Sequence, residues 1–106
     1  MKIAIRRDKV RLSTLLEQRA TATTVAERGK VARDIARLVC RPLKLQADGD
    51  TPNIVANLAQ GLTDYVSAGR FGPDVSAIQA LEAVATERGL DPRIPAEVAE
   101  RLSKLV

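Results

Sequence analysis

TPNIVANLAQGLTDYVSAG, residues 51–69, decides how this chain is read. Thr51-Pro52 places a capping hydroxyl before a proline at the first helical position, where the missing N–H costs nothing. Ile54, Val55, Leu58, Leu62, Tyr65 and Val66 then recur with the helical period, and Gly69 suits a left-handed helix stop. A helix that begins, repeats and ends this clearly sets the grammar for the segments on either side.

Downstream, the loop at 70–73 leads into a helix from about Asp74 to Arg88, with Val75, Ile78, Leu81 and Val84 inward. Gly89 ends that helix and Leu90 folds back over its last turn. A rigid connector, Asp91-Pro92-Arg93-Ile94-Pro95, precedes a helix over about 96–105 that buries Val98, Ala99, Leu102 and Leu105. Glu97–Arg101 and Glu100–Lys104 are spaced as i,i+4 pairs on its exposed side. Upstream, residues 46–50 form a turn-rich connector and Pro42 stops a helix over about 25–41. Thr23 or Thr24 caps that helix, and Gly29 within it costs about 1 kcal/mol relative to Ala or marks a kink. The polar stretch Thr21–Thr24 separates it from a helix over about 9–20, which Asp8 caps and Leu12, Leu15, Leu16 and Ala20 make amphipathic. In residues 1–7, Ile3 and Ile5 alternate with Lys2, Ala4 and Arg6, which predicts a short extended segment. The sequence therefore predicts one all-α domain: a compact bundle of about five short helices with an extended N-terminal segment.

Composition narrows the function. Of 106 residues 45% are apolar, enough for one modest core, and sixteen of them are Ala. No apolar run approaches the ~18 residues of a membrane span. The single cysteine, Cys40, allows no intrachain disulfide and fits a reducing cytoplasm. Nearby Arg37, Arg41 and Lys44 favour its thiolate, a helix C-terminus disfavours it, and a small buried packing role is the better reading. With no histidine there is no imidazole base and no imidazole metal ligand. No phosphate-cradling glycine spacing occurs, and Asp48 with Asp50 lacks the further ligands of a calcium loop. The expectation is a protein that is not an enzyme, with no cofactor and no metal.

The net charge of +4 hides an asymmetry. Residues 1–45 carry twelve cationic and four anionic side chains, or +8; residues 46–106 carry five and nine, or −4. Much of the excess lies on the second helix. At ~100° per residue, Lys30, Arg33, Arg37 and Arg41 fall within about 80° of arc, roughly opposite Val31, Ile35, Leu38 and Val39. Arg33–Arg37 and Arg37–Arg41 are like-charge i,i+4 pairs that cost a few tenths of a kcal/mol each. Phosphates would relieve that repulsion, and guanidinium forks match their geometry. Charged helix faces are also commonly just solvated, and Asp34 is placed to pair with Lys30 or Arg37.

Arg6, Arg7, Lys9 and Arg11 extend the basic part as an N-terminal arm. An extended basic segment followed by two helices loosely resembles the ribbon-helix-helix family of DNA-binding dimers over residues 1–41. That resemblance implies that Lys2, Ala4 and Arg6 face the major groove. The family's glycine-containing turn between helices is replaced here by Thr21-Ala22-Thr23-Thr24. Single-strand and RNA modules usually stack bases on exposed aromatics, whereas Tyr65 is in a core-facing register and Phe71 stands alone. The reading is a regulatory or accessory protein that holds duplex DNA through Arg6, Arg7, Lys30, Arg33, Arg37 and Arg41, with 46–106 as acidic scaffold. The alternative is an adaptor, inhibitor or assembly subunit whose ridge docks on an acidic protein surface. Association with further copies of the chain, basic half against acidic half, is a variant of that alternative; a membrane partner is not expected.

Overall fold

Each segment with leucines and alanines at helical spacing forms a helix, and together they bury one core. The computed structural model describes residues 2–70, 75–90 and 95–106. Its elements are α1 (Lys2–Thr21), α2 (Val25–Cys40), a 3-10 turn (Arg41–Leu43), α3 (Thr51–Ser67), α4 (Ala77–Glu87) and α5 (Ala96–Leu105). Helix α2 lies at the centre, packed on α1 and α3; α4 packs on α3, and α5 closes the bundle against α4, α1 and α2. Leu12, Leu15, Ile35, Leu62, Leu81, Leu102 and Leu105 are fully buried, so every helix supplies a large side chain to one core. Burying each is worth roughly 1.5–3 kcal/mol. Alanines Ala32, Ala36, Ala56, Ala59, Ala80, Ala85 and Ala99 have no exposed surface and let the helices approach closely.

The expected stops and starts are largely in place. Thr24 accepts a hydrogen bond from the Glu27 amide at 3.1 Å and caps α2. Gly69 and Gly89 adopt φ of +72° and +69°, and the amides that follow them, of Arg70 and Leu90, donate back to Tyr65 and Ala85. Those left-handed positions carry no penalty for glycine. Helix α5 has the expected bounds and buries Val98, Ala99, Leu102 and Leu105.

The N-terminal segment differs from expectation. Residues 2–21 are one continuous helix, and the described residues contain no strand. An isolated extended segment has no partner for its backbone N–H and C=O groups, whereas a helix satisfies them internally. Asp8 is therefore mid-helix rather than a cap, and the resemblance to the ribbon-helix-helix family, which needs the strand, is lost.

Smaller corrections follow from hydrogen bonding. Residue Asp50, not Thr51, takes the cap position of α3, and its carbonyl accepts from Ile54. Helix α2 runs only to Cys40 before tightening into the 3-10 turn at Pro42, and Lys44 then turns left-handed with φ of +57°. Helix α4 starts at Ala77, later than expected, because Ser76 and Gln79 form a reciprocal capping box. The residues of the 71–74 loop, including Phe71 and Asp74, and those of the 91–94 connector lie outside the described residues.

Between α3 and α4, Arg70 clamps the two helices. Its guanidinium donates to both Glu87 carboxylate oxygens, at 2.6 and 3.3 Å, and lies 4.2 Å from the centre of the Tyr65 ring. Tyr65 is half-buried against the core beneath it.

Candidate polyanion-binding face

Helices α1 and α2 form an antiparallel pair. Gln18 and Thr21 near the end of α1 share a groove with Glu27 and Lys30 at the start of α2. Asp8 and Arg11 near the start of α1 share a cleft of about 300 Å³ with Asp34, Arg37 and Arg41. Both helices turn their leucines inward, so their long cationic side chains stand along the rims of the groove.

Lys30, Arg33, Arg37 and Arg41 are all exposed, as are Arg6 and Arg7. The groove separates these six. Lys30, Arg37 and Arg41 line it on the α2 side, while Arg33 is not among its lining residues. On α1, Arg7 stands one turn before the groove-lining Arg11 and on the same side. Arg6 is displaced by about 140° around that helix and faces another way. Arg6 and Arg7 are thus parts of helix α1, on different sides of it, and not an extended arm.

Arg7 aligns with Arg11 only because α1 is helical to Lys2; with residues 1–7 extended, the two would have no fixed i,i+4 relation. Arg101 was paired in sequence with Glu97, yet it reaches the cleft from α5. Its Nη2 donates to Asp8 Oδ2 at 3.1 Å and to the Leu38 carbonyl at 2.7 Å. No local pattern announces a partnership across 93 positions. This pair is well shielded, with Arg101 only 13% exposed, and it neutralises Asp8 while fixing the cleft floor.

Electrostatically the groove is cationic with internal relief. Arg37 lies 3.7 Å from Asp34, but Arg37 is 67% exposed, so the contact is loose and contributes little. Arg11 and Arg41 line the same cleft with no ion pair among those of the described residues. The array can attract and hold anionic groups; it offers no nucleophile with a base beside it. Cys40, at the end of α2, is 3% exposed, and burial pushes its thiol pKa upward. Among the described residues no three His, Cys, Asp or Glu side chains gather to hold a metal ion, and no helix is long and apolar enough to cross a membrane.

No protein-family model, no curated protein and no solved structure matches the chain.

Proposed function

We propose that the chain binds duplex DNA through the α1–α2 face, gripping the phosphate backbone without chemical turnover, in a regulatory or accessory role. The observation that carries this reading is the two-sided array along the α1–α2 seam: Arg11 on one rim, Lys30, Arg37 and Arg41 on the other, around two adjoining depressions that share Arg11 and Asp34. Arg7 continues the first rim, and Arg33 stands outside the seam on the exposed surface of α2. From Arg33 to Arg41 the cations span ~12 Å of helix, comparable to three or four phosphates at 3.4 Å of rise per strand. Guanidinium groups bind phosphates bidentately, which suits a backbone-holding role better than a lysine-rich surface would. The half-buried Tyr65 offers no stacking platform, which favours duplex over single strands.

Binding should be strongly salt-dependent. Neutralising about four phosphates gives a log–log slope near −4, so affinity falls roughly a hundred-fold between 50 and 200 mM salt. The test is a fluorescence-anisotropy titration of a labelled duplex across that range with the chain and an Arg33/Arg37/Arg41→Ala variant. Loss of binding in the variant supports the reading; absence of binding at low salt, or unchanged affinity in the variant, overturns it.

A further inference from the structure

A second cluster of arginines lies on the far side of α2 from its basic ridge, where the end of α1, the start of α2 and the middle of α3 meet. A cleft of about 420 Å³ is lined there by Arg19, Ala20, Arg28, Gln60 and Asp64. Asp64 is the one carboxylate among the described lining residues, and both oxygens are engaged: Oδ2 accepts from Arg88 at 3.0 Å and Oδ1 from Gln60 at 3.0 Å. Arg19 is left with a neutral partner, the Asn57 side-chain oxygen, at 2.7 Å, and its Nε is buried without any partner. Burial and repulsion from Arg28 and Arg88 both destabilise its charge, in that order, and lower its pKa. Arg28 is exposed at the cleft mouth.

A partly buried guanidinium that faces two other cations and has no anionic partner among the described residues is costly to maintain. Stability alone would be served by an uncharged residue here, or by a second carboxylate. We infer that this cleft is a seat for a free phosphate group, either inorganic phosphate or the phosphate of a small monoester, held between Arg19 and Arg28. Arg88 holds Asp64 aside and adds to the local positive potential. The fork-shaped donors of two guanidinium groups match an oxyanion's oxygens, and the volume accepts a phosphate with its shell of water. The inference does not rest on the DNA reading, which concerns the opposite side of α2.

The test is thermal unfolding and calorimetric titration of the full chain with inorganic phosphate and with a simple phosphate monoester, each against chloride at matched ionic strength. Phosphate at about ten times its Kd is expected to raise the Tm by roughly 6–11 °C above the chloride control. Arg28→Gln, at an exposed position that leaves the core untouched, should weaken phosphate binding about tenfold or more. Lys104→Gln removes one exposed charge on α5, away from this cleft and from the α1–α2 face, and should keep the full phosphate effect. A response to the monoester alone assigns the seat to phosphorylated small molecules; a response to both assigns it to phosphate itself. Equal effects of phosphate and chloride overturn the inference, as does an undiminished phosphate response in Arg28→Gln.

Discussion

Two glycines inside helices show how position decides what one side chain is worth. At Gly29 an added Cβ would meet only the Arg33 side chain, at 3.6 Å, an ordinary contact. Gly29→Ala should therefore stabilise the chain by about 0.5–1 kcal/mol, read as a raised denaturant midpoint. At Gly61 the same Cβ would collide with the Val84 side chain and come within 2.7 Å of Arg88 Nε, because α3 and α4 touch there. Gly61→Ala should destabilise by roughly 1–3 kcal/mol despite its better helix propensity. In sequence both are glycines inside a helical pattern, and only the packed partner tells them apart. Cys40 makes a third prediction at this scale. Its folded-state pKa is raised by burial, so its contribution is complete below the ordinary thiol range and declines as pH rises through it. Native protein at pH 8 should resist iodoacetamide, whereas urea-unfolded protein should be modified promptly; equal labelling rates would contradict the buried placement.

At the level of elements, what the sequence could convey was set by how local each cause is. Helices α3 and α5 are legible because their periodicity and the proline at each start lie within or beside their own segments. The alternation of Lys2–Arg6 fits a strand pattern, but five residues are too few to outweigh a helix that satisfies its own backbone. A remote contact also lies beyond any local pattern: Asp8 is gripped by Arg101 of α5, which also donates to the Leu38 carbonyl of α2. Replacing Asp8 with Ala leaves a shielded guanidinium with only a carbonyl acceptor, and should cost about 1–3 kcal/mol. An Asp8→Ala/Arg101→Met double variant should recover part of that loss, since the stranded charge is gone. Equilibrium unfolding of the three variants measures the cycle. Helix α4 depends on the Ser76–Gln79 box, and Ser76→Ala should cost about 1 kcal/mol.

Over the whole molecule, the basic half and the acidic half are not separate units. Leucines from α1, the centre of α2 and the far end of α5 all enter one cluster. A chain truncated before α5 loses Leu102, Leu105 and the Arg101 bridge together. It should lose cooperative thermal unfolding altogether, seen by calorimetry, rather than fray at one end. The same architecture explains why the candidate face was only half legible. The α2 ridge follows from one helix's own angles, but which of its cations share a groove depends on where α1 lies. Arg33 and Arg6 therefore looked equivalent to Arg37 and Arg7 until the helices were placed together.

The Arg70 clamp gives the molecule an optical property. Tyr65 is the only tyrosine and tryptophan is absent, so near-ultraviolet emission arises almost entirely from one ring capped by one guanidinium. That emission reports the seam between α3 and α4. Monitored beside circular dichroism during unfolding, it would show whether this seam opens with the rest of the bundle or ahead of it.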